Sequence, residues 1–146
     1  MSTVSAPFGL QEGVVDFVRA FGLHRPDRTP CGKPLSVSEA HALMELDGRE
    51  SVSQSELASA LRLEKSTVSR LVSQLIARGW VERGRDDDDG RVRRLRLSDR
   101  GARVAAEVAG ARREKFESLL ARIPDTERTS VQRALRVLVD ALDATP

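Results

Sequence analysis

Between Val68 and Ile76 the apolar residues Val68, Leu71, Val72, Leu75 and Ile76 recur at i, i+3, i+4, i+7 and i+8. At 100° per residue they form one stripe, which predicts an amphipathic helix from Lys65 to Arg78 with that stripe in the core. The opposite face then carries Ser66, Thr67, Arg70, Ser73, Gln74 and Ala77, which are short or hydrogen-bonding side chains with one arginine among them. Upstream, Ser53-Gln54-Ser55-Glu56 fits the S-x-x-E capping box: the serine hydroxyl accepts from the third helical amide, and the glutamate reaches back to the serine amide. A shorter helix therefore starts there, turns Leu57, Ala58 and Leu61 inward and gives out around Leu61-Arg62-Leu63. Glu64 follows as the acceptor expected at the start of the longer helix, and Gly79 ends that helix.

After Gly79 the period changes to two. Trp80-Val81-Glu82-Arg83 reads as a strand and Asp86-Asp87-Asp88-Asp89-Gly90 as a turn. Arg91 to Leu97 returns with Leu95 and Leu97 on one face and Arg94 and Arg96 on the other. Ser51-Val52-Ser53 adds a further short strand. Two helices joined by a tight turn and followed by a basic hairpin make a helix-turn-helix with a wing.

The flanks are helical. From about Phe8 to Leu23, Leu10, Val14, Phe17, Val18 and Phe21 fall on one side of a helix too apolar to stand free. His24 to Leu35 holds three prolines and a glycine and is a connector. Ser36 caps a helix to about Asp47, with Val37, Ala40, Leu43 and Met44 inward and Gly48 at its end. Ser98 caps a long helix from about Asp99 to Arg122, whose buried side is marked by Val104, Ala105, Val108, Phe116, Leu119, Leu120 and Ile123. Pro124-Asp125-Thr126-Glu127 restarts a helix in which Val131, Leu135, Leu138 and Leu142 follow the 4-3-4 spacing of a coiled-coil seam. The predicted architecture is mainly α with a small β-wing: one domain over 1–146, with a winged helix-turn-helix lobe at 36–97 and a linking helix at 99–122. The end helices, 8–23 and 125–143, need burial, either within the chain or against a second copy.

Composition narrows the chemistry. A chain of 146 residues with no tyrosine, one tryptophan and 32% charged residues favours helices over a β-sandwich. No run reaches the roughly 18 apolar residues of a membrane span, and the first residues lack the basic-then-apolar pattern of a secretory signal. A cytoplasmic location and no membrane partner are expected. The single Cys31 excludes an internal disulfide framework and agrees with a reducing compartment. From Val52 to Leu97, ten Lys and Arg stand against seven acids, an excess of three where the whole chain has an excess of two. Positive charge is thus concentrated around the predicted hairpin, either to meet a phosphate backbone or for solubility alone.

Enzymatic signatures are missing: there is no G-x-S-x-G, no H-E-x-x-H and no phosphate-cradling glycine loop, so neither catalysis nor a cofactor is expected. His24 and His41 are the only histidines and have no metal-ligand spacing; the aspartate run lacks the alternating ligand order of a calcium loop. No metal is expected. The polar face of the longer helix suits a major groove, where Arg70 can address guanine and Gln74 adenine; an ordinary solvated face is the alternative.

In the order and spacing of Gln54 to Leu63 (QSELASALRL), Glu64 to Val81 (EKSTVSRLVSQLIARGWV), Asp89-Gly90-Arg91 and Leu97-Ser98-Asp99-Arg100-Gly101, the chain resembles the MarR family of bacterial winged-helix transcriptional regulators. The resemblance implies a sequence-specific regulator of double-stranded DNA, most often a repressor, binding a pseudo-palindromic operator as a homodimer whose end helices interleave. It places Lys65, Ser66, Thr67, Ser69, Arg70 and Gln74 at the major groove or its phosphates. Arg91, oriented by Asp89, would enter the minor groove, and Arg93 would be the other wing residue to touch DNA. Gly90 stands where the family often has a second basic residue, and four aspartates occupy a tip that more often contains proline. The resemblance also implies release by a small aromatic or phenolic effector, for which Phe17, Phe21, His24, His41 and Met44 are candidate lining residues, ordinary core positions being the alternative. Cys31, with Lys33 near it in sequence and no second cysteine to resolve it, is a candidate redox sensor. The reading from another class is a winged-helix protein-interaction module whose basic strand meets an acidic protein.

Overall fold

The computed structural model describes residues 7–85 and 93–144, with side chains from Gly9 to Gly84 and from Arg94 to Ala144. The chain divides into two compact units, Met1–Ala111 and Arg112–Pro146. In the first, α1 (Pro7–Phe21) precedes α2 (Val37–Leu46), β1 (Val52–Ser53), α3 (Gln54–Leu61), α4 (Lys65–Ala77), β2 (Val81–Arg85) and β3 (Arg93–Leu97). The helix α5 (Asp99–Arg122) begins in this unit and ends in the second, which also holds a short 3-10 turn (Asp125–Glu127) and α6 (Arg128–Asp143). This is the mainly α chain with a small wing that the sequence predicts.

Each element starts where its sequence supplies a cap. Ser36 and Ser53 both accept from the amide three residues on, and Glu39 and Glu56 both accept from the serine amides, so α2 and α3 each begin in a complete capping box. Glu64 sits at the N-cap of α4, but its side chain makes no cap hydrogen bond. A glutamate is one methylene too long to fold back onto the first turn as aspartate or serine does, and it contributes there only as a negative charge at the positive end of the helix. Between α3 and α4 the chain turns through Arg62 in the left-handed conformation, at φ 57 and ψ 41, where a glycine would be the usual choice.

The three strands pair antiparallel in the order β1-β3-β2, with Val52 opposite Leu95 and Val81 opposite Leu97. Leu95 is fully buried at the centre of this sheet, together with Val52 and Val81. They close over a core of Leu43, Leu46, Leu57, Val68, Val72 and Leu75 from the three helices. Ile76 departs from the predicted stripe: it is 36% exposed, because it lies at the edge of the arc centred on Val68, Val72 and Leu75.

Ala105 and Val108 of α5 join the core of the first unit, and Val104 packs against it. Farther along the predicted buried side of α5, Leu119 and Ile123 are half-buried, while Phe116 is 46% and Leu120 41% exposed. Similar apolar surface runs along α6, where Val131, Leu135 and Leu142 are exposed, and along α1, where Leu10, Val14 and Phe17 are exposed. The turn into α6 is closed by Arg128, which donates to the carbonyl of Ile123 at 3.0 Å and pairs with Asp125 at 2.9 Å. None of the described helices is long and apolar enough to cross a membrane.

Candidate nucleic-acid interface

Burial of Val68, Leu71, Val72 and Leu75 fixes which way α4 faces. Lys65, Ser66, Ser69, Arg70, Ser73 and Gln74 are consequently exposed, with Thr67 half-buried among them. Ser73 returns its hydroxyl to the Ser69 carbonyl at 3.0 Å, which keeps the middle of this face low. Beside it lies an open depression of about 280 Å³ lined by Thr67, Arg70, Leu71 and Gln74 and, across from them, by Ser36 and Ser38 at the start of α2. Lys65 and Arg70 make no ion pair among the described residues. A helix face of this kind offers hydrogen-bond donors and acceptors without bulk, as reading of base edges requires.

Part of the basic charge around the wing is already committed. Arg78, at the C-cap of α4, pairs with Glu39 at 2.7 Å and stacks 4.6 Å above the ring of Trp80. Arg94 pairs with Glu56 at 2.9 Å and donates to the Ser51 hydroxyl at 3.2 Å. Arg96 lies 3.4 Å from Glu82, but both are well exposed, so that contact is weak. The local excess of positive charge is therefore less available to an outside partner than the sequence count implies.

Asp89, Arg91 and the turn from Asp86 to Gly90 lie outside the described residues, as does the side chain of Arg93. The backbone of Arg93 is placed opposite Arg85, so the hairpin is paired up to its last described residues. Of the proposed effector lining, Phe17 and Phe21 stack with ring centroids 5.5 Å apart, Met44 packs against the core of the first unit, and His24 and His41 are exposed. Cys31 is half-buried within a loop closed by Thr29 and Lys33, whose amides donate to Lys33 and Thr29 respectively.

Glu39, Ser36 and Ser38 are additions to the predicted set. The S-x-x-E pattern at Ser36 announces the cap, as it does at Ser53. That Glu39 would be 5% exposed and paired with an arginine 39 positions later has no local signature.

A family model described as the MarR family matches residues 33–92. The transcriptional repressor MprA of Escherichia coli K12 is 31% identical over 104 residues, which cover 70% of this chain and 59% of that protein. The chain thus spans about three fifths of that relative's length. Among solved structures, Streptococcus pneumoniae FabT in complex with DNA aligns with a TM-score of 0.76 at 20% identity, covering 92% of this chain and 95% of that one. The PcaV regulator from Streptomyces coelicolor in complex with its natural ligand gives 0.72 at 22% identity, covering 97% of each. The structural likeness carries the fold. The family match takes in both capped helices, the exposed face of α4 and the first strand of the wing, and together with the 31% identity to MprA it shows that the chain belongs to the MarR family.

Proposed function

We propose that this chain is a sequence-specific double-stranded-DNA-binding transcriptional regulator, a repressor that acts as a homodimer on a pseudo-palindromic operator. The observation that carries the reading is the face of α4, where Arg70, with no ion pair among the described residues, lines one open depression with Thr67 and Gln74. In this reading Lys65, Ser66, Thr67 and Ser69 meet the major groove or its phosphates, and Arg70 and Gln74 read bases. Arg91, held by Asp89, enters the minor groove, and Arg93 is the second wing residue to touch DNA. MprA is a repressor and FabT was captured on DNA, which supports the assignment.

Dimerisation is supported by the open apolar faces of α1, α6 and the second half of α5, which no single chain in water leaves uncovered at little cost. A second copy covers them. An aromatic anion is the proposed effector, with Phe17, Phe21, His24, His41 and Met44 as its lining, in line with the ligand complex of PcaV. Such a ligand acts by favouring a separation of the two α4 helices that no longer matches major grooves about 34 Å apart.

Selection of bound duplexes from a random pool at about 150 mM salt, with the native protein and with Arg70→Ala, tests the assignment. The expected result is an inverted repeat with half-sites one turn apart, blurred in the variant. Absence of enrichment by the native protein overturns the reading.

A further inference from the structure

Arg70, Gln74 and Arg78 follow one another at i, i+4 and i+8, so they climb a single ridge of α4, each about 40° further round the axis. The first two line the depression facing the start of α2. The third is bonded to it: Arg78 Nε meets Glu39 Oε2 at 2.7 Å, and Nη2 donates to Oε1 at 3.3 Å. The same Oε1 accepts from the Ser36 amide at 2.9 Å. One carboxylate therefore holds the first turn of α2 and the last turn of α4 together.

The apolar contacts that hold α4 to the core have no direction, so a rotation of a few degrees changes them little. A two-point guanidinium–carboxylate bond does have direction, and the stacking of Arg78 on Trp80 restricts it further. The Glu39 side chain is only 6% exposed, and its second bond to Ser36 leaves it nowhere to move. Rotation of α4 about its axis would carry Arg78 off this anchor and swing Arg70 and Gln74 by the same angle.

We infer that Glu39 is a positioning residue for base recognition: through Arg78 it fixes the angle at which Arg70 and Gln74 are presented. The inference rests on the DNA-reading assignment above.

Glu39→Gln is the decisive variant, because glutamine preserves the acceptor of the capping box while removing the charge that binds Arg78 at two points. Arg78→Lys is its counterpart, retaining charge without the fork or the stacking. Each is to be compared with the native protein by duplex selection, by affinity for the selected site and its single-base variants across a salt series, and by thermal unfolding. Both variants should remain folded and lose about five- to tenfold in discrimination at the positions that Arg70→Ala blurs, and the double variant should lose no more than either alone. Uniformly weaker binding with an unchanged base profile would show a purely structural pair and overturn the inference. Tighter binding by Glu39→Gln with a steeper salt dependence would show Arg78 to be a released phosphate contact, and would overturn it also. If the native protein enriches no sequence, the DNA-reading assignment itself fails and this inference falls with it.

Discussion

The carbonyl of Trp80 occupies the space in which a side chain on Gly101 would have to begin. A β-carbon built there falls 2.8 Å from the carbonyl carbon and 3.1 Å from the Trp80 α-carbon, and closer still to the oxygen. Ser98 completes the junction. Its hydroxyl donates to the Gly79 carbonyl at 2.6 Å and accepts from the Gly101 amide at 3.0 Å, while its own amide donates to the Trp80 carbonyl at 2.9 Å. The first turn of α5 is thus fastened to the loop that ends α4, and any displacement of that turn carries the end of α4 with it.

Alanine at two glycines of α5 should have opposite effects. Gly101→Ala forces the first turn of α5 away from Trp80 and is expected to cost about 1–3 kcal/mol. Gly110 lies within the same helix with nothing within 4 Å of an added β-carbon, so Gly110→Ala should stabilise by roughly 0.5–1 kcal/mol. Thermal or urea unfolding of the two variants beside the native protein reads both signs. A neutral Gly101→Ala would mean that the junction yields.

Stability should also depend on the charge of Glu56. The Ser53 amide, which donates to it at 3.0 Å, holds its carboxyl below the usual glutamate range, helped by the Ser53 side chain and by Arg94. Because the folded value is the lower one, ionised Glu56 adds stability above the ordinary glutamate range, and that stability is lost as pH falls through the lowered value. Glu56→Gln keeps a neutral acceptor in the capping box. Native protein should therefore unfold at higher temperature than the variant at neutral pH, with the gap closing in acid. An equal gap at every pH would assign it to packing.

A carboxylate on the open face of α6 should separate the proposed dimer. Leu135 is 49% exposed in the single chain, and burying an aspartate there against a second copy costs about 3 kcal/mol or more, which is over a hundredfold in dimer affinity. Light scattering should show Leu135→Asp as a monomer with its helical content retained and its operator binding lost. A dimer unaffected by the change would move the interface elsewhere.

How far the sequence could be read depended on the range of the interactions. Ser53 announces its helix because a capping box spans four residues, Ser36 is legible as a cap, and the 3.6-residue period of α4 separates Val68, Leu71, Val72 and Leu75 from Arg70 and Gln74. The partners of Arg78 and Arg94 were not legible, since Glu39 and Glu56 reach them only through the packing of α2 on α4 and the pairing of β1 with β3. The sequence pattern points inward at Val37 and Ala40 and not at Glu39, because a carboxylate is seldom buried unless paired. Leu10 in α1 and Leu135 in α6 lie on apolar stripes that need cover, and both are exposed in the single chain.

Those ion pairs change what salt should do to DNA binding. Every phosphate neutralised by a lysine or arginine releases condensed counterions and adds about 0.9 to the slope of log affinity against log salt. Lys65 makes no ion pair among the described residues, whereas Arg94 is held by Glu56 at 2.9 Å and by Ser51 at 3.2 Å. Lys65→Ala should therefore weaken binding to all duplexes alike and flatten the slope by about two for a dimer, one contact in each protomer. Arg94→Gln should leave the slope where it is, because a cation neutralised within the protein displaces no counterions from DNA. Equal flattening by both variants, measured on the selected operator between about 50 and 200 mM salt, would mean that DNA draws Arg94 away from Glu56. In that case the pair behaves as a latch opened by the phosphate backbone, and the capping box of α3 should weaken when DNA binds.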